Sequence, residues 1–221
     1  MNDTTTVTGM VISVMPIGEY DKRVLLLTRE LGKVSAFARG ARRPNSPLVS
    51  SARLFSFGTM ELSEGRTAYG VRSAQIRERF EYLAQDPEAM CYASYFAEWA
   101  DYYGRENTDG SRLLLLLVLA LRALNNEKLS RPLIRYVFEL AVMQAEGEYY
   151  PAPRIPVCAS AAYAWQYVLT ASPERLFAFG LDETALADFS RAVDDMKENF
   201  IDREFRSLEV LREFRELMLS K

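Results

Sequence analysis

The chain of 221 residues contains no histidine. Histidine is the commonest general base and the commonest metal ligand, so its absence excludes a Ser-His-Asp or Cys-His hydrolase. Only carboxylates, Lys or Tyr are left for acid–base work. Cysteine is nearly absent too: Cys91 and Cys158 make no disulfide framework and suit a reducing, cytosolic setting. Long apolar runs are also missing. The strongest, Leu113 to Leu121, falls far short of the roughly 20 residues a membrane helix needs. The opening MNDTTTVTG lacks the cationic start and apolar core of a secretory signal. A soluble, cytoplasmic protein without a membrane segment is expected.

What is present is ordinary in bulk and uneven in distribution. The apolar and charged fractions, 49% and 26%, are those of a globular protein, and the length allows one large domain or two smaller ones. Residues 1–80 carry twelve Lys/Arg and seven Asp/Glu, a net of +5; residues 81–221 carry fifteen and twenty-three, a net of −8, giving the overall −3. The excess is concentrated between positions 22 and 53. There Lys22, Arg23, Arg29, Lys33, Arg39, Arg42, Arg43 and Arg53 face a single acid, Glu30. Such a patch attracts a polyanion whatever the net charge, because the field that matters is the local one.

The hydrophobic period divides the chain in the same place. Strands are expected over Val7–Val14 (ending before Pro16), Arg23–Thr28, Val34–Ala38, Leu54–Leu62 and Tyr69 towards Ile76, with a Gly/Pro loop from Arg39 to Ser51 and a hairpin turn at Ser63-Glu64-Gly65-Arg66. Five short strands without an intervening helix point to a small closed barrel of the oligonucleotide-binding (OB) type. Asp86-Pro87-Glu88 then reads as a helix start. Helices are expected to Tyr103, from about Ser111 through the leucine run, from Ser130 to a stop at Gly147, over Ala161–Ala171 and Thr184–Asn199, and from about Ser207 onward. The fold class is α+β with two domains: a five-stranded OB-type barrel at 1–80, then an all-α helical domain at 81–221.

Arg39, Arg42 and Arg43 lie on or beside the Gly/Pro loop, where side chains can follow a flexible phosphate backbone. No base-reading arrangement is evident, so binding is expected to be independent of sequence and strongly salt-dependent. Among Tyr20, Phe37, Phe55, Phe57 and Tyr69, which could stack on bases, Phe55 and Phe57 read as core on one strand face and Tyr20 as the exposed candidate. The aromatic helix from Tyr92 to Tyr103 reads as bundle packing. Asp194-Asp195 and Asp101 with Glu98 read as solvated surface charge. Cys91 reads as buried and inert. The acids of the barrel show no metal-binding spacing, so no catalytic residue, cofactor or metal site is expected.

The segments Thr8-Gly9, Tyr20-Asp21-Lys22, Thr28-Arg29-Glu30, Gly32-Lys33, Gly40-Ala41-Arg42-Arg43-Pro44 and Tyr92-Ala93-Ser94-Tyr95 together resemble the bacterial RecO family of recombination mediators. The resemblance is strongest over residues 7–80 and extends to about 150. It implies an OB barrel followed by helices, binding of single- and double-stranded DNA, strand annealing, and help in placing RecA on DNA coated with single-strand-binding protein. It also implies partners: the acidic, apolar C-terminal tail of single-strand-binding protein on the helical domain, where Arg112, Arg122, Arg131 and Arg135 are the nearby cations, and a RecR-like protein. Localisation would be bacterial cytoplasm, at the nucleoid. Many members hold a structural zinc with two C-x-x-C pairs. Here Val157-Cys158-Ala159-Ser160 stands alone, so a zinc-less variant is expected, degenerate from about residue 150, with Ala161, Tyr163, Trp165 and Tyr167 packing in place of the metal. The competing reading is a protein–protein adaptor whose basic barrel binds an acidic protein.

Overall fold

The computed structural model describes residues 4–65 and 68–219. Arg66, expected in the hairpin turn, and the first three residues lie outside that range. Five strands, β1 (Thr4–Ile17), β2 (Asp21–Thr28), β3 (Gly32–Ala38), β4 (Phe57–Ser63) and β5 (Tyr69–Glu78), precede six helices: α1 (Pro87–Tyr103), α2 (Ser111–Leu124), α3 (Arg131–Glu146), α4 (Ala159–Thr170), α5 (Glu183–Phe200) and α6 (Arg206–Leu219). Short 3-10 turns at Glu81–Ala84 and Pro173–Arg175 had no sequence signal. The chain forms two compact units, one of residues 1–81 and 97–114, the other of 82–96 and 115–221.

In the first unit the strands close into a barrel in the order β1-β2-β3-β5-β4, the five-stranded OB-type arrangement expected. Alternating inward residues fill it, among them Val7, Val11, Leu26, Val34, Met60 and Leu62. The β3·β5 seam is parallel and only two residue pairs long, Ala36 with Tyr69 and Phe37 with Gly70. Beyond it the free edge of β3 is covered by the strap after α1: Lys33 N–H donates to the Arg105 carbonyl at 2.9 Å, and Asn107 N–H to that of Leu31 at 2.9 Å. Covering an edge removes its unpaired ladder groups from competition with other chains.

Three strand expectations need correction. β1 runs on through Pro16 and Ile17, paired with Lys22 and Asp21 of β2. Its pairing with β4 ends at Met10, so Pro16 sits on an open edge where its missing N–H costs no ladder bond. β4 begins only at Phe57, because Phe55 is left-handed (φ 61°) and donates its N–H to the Val11 carbonyl at 2.8 Å. Phe55 is buried and Phe57 half-buried, so the two do not share a strand face. β5 extends to Glu78 and carries two bulges.

The second unit follows the helix signals closely. Asp86 caps α1, its Oδ1 accepting from Ala89 N–H at 3.0 Å, and also pairs with Arg131 at the start of α3. Gly147 ends α3 in the left-handed region (φ 81°), with Glu148 N–H returning to the Met143 carbonyl at 2.9 Å, the geometry a side-chain-free residue adopts without strain. Tyr92, Tyr95 and Phe96 are buried, and Phe96 lies 4.4 Å from the Phe138 ring. In the stretch expected to pack without zinc, Ala161 and Trp165 are buried, and Trp165 donates its indole N–H to the Tyr150 carbonyl at 3.1 Å. Tyr163 departs from that expectation: it is 73% exposed.

The Asp86 cap predicts an acid-sensitive unit. Burial pushes the Asp86 carboxyl up, but the Ala89 N–H and the Arg131 guanidinium outweigh that and hold it below its ordinary 3.8. A carboxylate depressed in the folded state gives stability that is complete above the unfolded value and is lost as pH falls through the folded one. Unfolding followed by circular dichroism should therefore show Asp86→Asn to be less stable at neutral pH than the unmodified chain, and to lose less on going from pH 5 to pH 3.

Candidate functional site

The eight basic residues do not form one patch. Lys22 sits near the start of β2 and Arg29 just past its end, seven residue steps or roughly 23 Å apart at strand rise, so the set is split between the two ends of the β2–β3 hairpin. At the far end Arg29 pairs with Glu30 at 2.7 Å. Lys33 donates to the Asp101 carboxylate at 3.0 Å and to its backbone carbonyl at 2.6 Å. Asp101, expected as solvated charge, is thus spent on neutralising a cation of the candidate site. Arg23 projects from β2, exposed, with its Nε on Ser35 Oγ at 2.8 Å.

The near end is built by the loop that follows β3. Gly40, left-handed at φ 69°, turns the chain, and its N–H is held by Asp21 Oδ1 at 2.7 Å. The turn presents Arg39, Arg42 and Arg43 outward; all three are exposed, as is Arg53. Arg42 is anchored by its own N–H on the Tyr20 carbonyl and by Nη1 on the Gly18 carbonyl at 2.9 Å. Arg43 lies 4.9 Å above the ring of Tyr20, which is exposed as expected, a cation–π pair. Lys22 reaches the Ala52 carbonyl at 2.9 Å. Burial lowers the Lys22 pKa, and the nearby charges of Arg53 and Arg42 lower it further. The acids at this end are Asp21, committed to the Gly40 N–H, and Glu19, whose hydrogen bond raises the pKa of the Tyr20 hydroxyl.

Beside this loop a groove of about 440 Å³ runs along the short β3·β5 seam, lined by Arg39, Arg72, Phe37, Leu48 and Tyr69, with Glu64 its one acid among the described residues. Arg72 carried no sequence signal. It is the unpaired residue of a β5 bulge, between Val71 opposite Leu62 and Ser73 opposite Glu61, and a bulge re-aims the side chain of its extra residue. The arrangement offers guanidinium groups for phosphate and two half-buried aromatics, Phe37 and Tyr69, for stacking.

In the helical unit, a second concavity of about 370 Å³ is lined by Tyr92, Leu186, Leu208, Leu211 and three arginines, Arg135, Arg212 and Arg215. Burial pushes the Tyr92 hydroxyl up to about 12, so it stays protonated. Of the four cations sequence reasoning placed near a partner site, Arg135 lines this pocket, whereas Arg131 is paired with Asp86 and Glu88. Arg212 and Arg215 belong to α6, too remote in sequence to have been connected with it.

Both cysteines are free and half-buried rather than buried, burial raising the Cys91 thiol pKa. Among the described residues no three His, Cys, Asp or Glu lie close enough to hold a metal ion. With two cysteines and no histidine in the sequence, the residues present do not supply a four-cysteine metal site. Among the described residues no helix is long and apolar enough to cross a membrane.

Barrel, basic loop and arginine-rimmed helical pocket define a class: a two-part protein whose OB-type barrel exposes a cationic surface. The family model described as Recombination protein O N terminal matches residues 1–80, and Recombination protein O C terminal matches residues 84–152. The chain belongs to the RecO family of DNA repair proteins. It is 32% identical over 139 residues to DNA repair protein RecO of Alkaliphilus metalliredigens, covering 63% of this chain and 56% of the relative. It is 38% identical over 143 residues to that of Symbiobacterium thermophilum (64% and 56%), and 35% over 159 residues to that of Anaeromyxobacter (71% and 61%). The chain thus spans less than two thirds of the length of these curated relatives.

Proposed function

We propose that this chain is a DNA-binding recombination mediator of DNA repair, acting at the bacterial nucleoid without catalysis of its own. Residues 1–80 bind single- and double-stranded DNA through Lys22, Arg39, Arg42, Arg43 and Arg53, extended along the groove by Arg72. Arg23, exposed on β2, adds to this surface; Arg29 and Lys33, neutralised within the chain, contribute little. The observation that carries this reading is the Gly40 turn, which holds Arg39, Arg42 and Arg43 exposed on one loop, with Arg53 also exposed and the Lys22 ammonium on the Ala52 carbonyl. Cations held together without matching acids repel one another, and a phosphate placed among them relieves that repulsion. Annealing follows without chemistry: neutralising phosphates on two strands lowers the barrier to their pairing. Assistance to RecA on DNA coated with single-strand-binding protein, and a RecR-like partner, belong to the same proposal and rest on family membership.

The test is binding of fluorescent single-stranded DNA across a salt series at pH 7 and pH 9.5. Affinity should fall steeply with salt. It should also fall with pH, because phosphate favours the protonated Lys22 while rising pH removes that proton in a window below the ordinary 10.5. Lys22→Arg should flatten the pH dependence and keep the salt dependence. No binding at low salt, together with capture of an acidic protein, would establish the adaptor reading instead.

The ligand proposed for the helical pocket is the acidic, apolar tail of single-strand-binding protein, which needs an apolar floor and a free cation; Arg135 and Arg215 are already paired with Glu139 and Glu88, and Glu183 also lines the pocket. Arg212, exposed on α6, is the cation to test. Arg212→Glu should weaken binding of a synthetic tail peptide about tenfold, the loss of one charge-assisted contact, and leave binding of bare DNA unchanged.

A further inference from the structure

On the outer face of the barrel, three strands set an arginine, an aromatic ring and a glycine side by side. Along β3 the buried residues Val34, Ala36 and Ala38 belong to the core, which leaves half-buried Phe37 on the outer face. Opposite Phe37 in β2 is Arg23, also on the outer face and exposed. Opposite it in β5, across the parallel seam, is Gly70. A Cβ added to Gly70 would meet, within 4 Å among the described residues, only Ser63 Oγ at 3.0 Å. The space over Gly70 is therefore open, and the Phe37 ring does not fill it.

The parallel pairing brings cations to one end of this row. Arg39 stands two residues beyond Phe37, and Arg72 two beyond Gly70. Because β3 and β5 run the same way, both arginines fall at the same end of the seam, about 7 Å beyond the Phe37–Gly70 pair at strand rise. Both line the groove, both are exposed, and neither makes an ion pair or hydrogen bond among the described residues. Glu64 follows Ser63, the residue opposite Gly70 in β4, on the side away from Arg72.

We propose, building on the DNA-binding reading, that this groove seats one unpaired nucleotide and makes the barrel prefer single strands to duplex. The base lies on Phe37 over Gly70, and the phosphate sits between Arg39 and Arg72. Phosphates reach an exposed arginine whether or not their bases are paired. A base within a duplex has both faces covered by its neighbours in the stack, so only an unpaired one can lay a face on a ring. The groove, about 440 Å³, falls within the roughly 300–1,000 Å³ of small-ligand pockets. It has room for a nucleotide and none for a double helix.

Fluorescence anisotropy with a single strand, an abasic single strand of equal length and a duplex tests this. The unmodified chain should hold the single strand about tenfold more tightly than the abasic one, the gain from one base–aromatic stack. Phe37→Leu keeps an apolar side chain and loses the π-face, so single-strand affinity should fall to the abasic level. Gly70→Val closes the space beside the ring and should have the same effect with Phe37 intact. In both variants affinity for the abasic strand and the duplex should be unchanged, which also shows that they are folded. Equal affinity of the unmodified chain for base-bearing and abasic strands overturns the proposal, as does a loss in both variants that duplex and single strand share. Failure of the DNA-binding reading looks different, because the unmodified chain then binds none of these ligands and both readings fall.

Discussion

Replacing Arg39, Arg42 and Arg43 together with glutamate should lower affinity for single-stranded DNA roughly 500-fold at about 50 mM salt and roughly 30-fold at about 200 mM. Both figures follow from release of about 0.7 counterion for each phosphate neutralised on a single strand, with three neutralising cations removed. By the same arithmetic the slope of log affinity against log salt should become shallower by about 2. The weakening should be equal for all sequences, because these side chains stand on a turn suited to the phosphate backbone. Lys33→Ala is the informative control. Its ammonium is already engaged by Asp101 at 3.0 Å, so its removal should change affinity by less than about twofold. An unchanged affinity in the triple variant, or a large loss in Lys33→Ala, would mean that the binding surface lies at the other end of the β2–β3 hairpin. Both are read by fluorescence anisotropy on one labelled oligonucleotide.

Replacing Glu139 with alanine should destabilise the helical unit by about 3–5 kcal/mol, the cost of leaving buried charge uncompensated. At roughly 2–4 °C per kcal/mol, this lowers the melting temperature of that unit by about 10 °C. Glu139 is fully buried. It accepts from the Tyr95 hydroxyl at 2.5 Å and from Arg135 Nε at 2.6 Å, with Lys197 Nζ 3.5 Å away. Arg135 is stacked over the rings of Tyr95 and Tyr136, at 5.4 and 4.4 Å. Burial opposes its charge, yet the Glu139 carboxylate and the two tyrosines raise its pKa overall, so it stays protonated. Deleting Glu139 therefore leaves largely buried Arg135 with only the 3.5 Å contact to Asp194, whereas Lys197 keeps its closer pair with Asp194. Asp194 joins the same network through Lys197 at 2.7 Å and Tyr136 at 3.0 Å, but its side chain is 40% exposed. Water can replace it, and Asp194→Asn should cost about 1 kcal/mol or less. Thermal unfolding followed by far-ultraviolet circular dichroism separates the two; equal losses would show that burial of Glu139 does not set the cost.

These two sites mark what local sequence carries and what it does not. The barrel was legible because alternation and turn residues act over a few positions: Val34 to Ala38 points alternately in and out whatever the rest of the chain does. The helix limits were legible for the same reason. Asp86 caps its own helix, and Gly147 ends one because a left-handed residue is needed there. The cationic loop was legible because Gly40 places Arg39, Arg42 and Arg43 on one turn.

The rest depended on residues distant in sequence. Eight cations between positions 22 and 53 read as a single patch, but the length of β2 carries Arg29 and Lys33 away from Lys22, and Asp101, 68 residues on, neutralises Lys33. Arg72 joined the groove through a bulge, a slip in register that depends on two strands at once. Glu139 looked like any acid on a helix until Tyr95, 44 residues earlier, and Lys197, 58 later, closed around it. Periodicity and capping are short-range and can be read along the chain. Neutralisation and burial are decided by whichever distant side chain arrives, and only the fold brings it there.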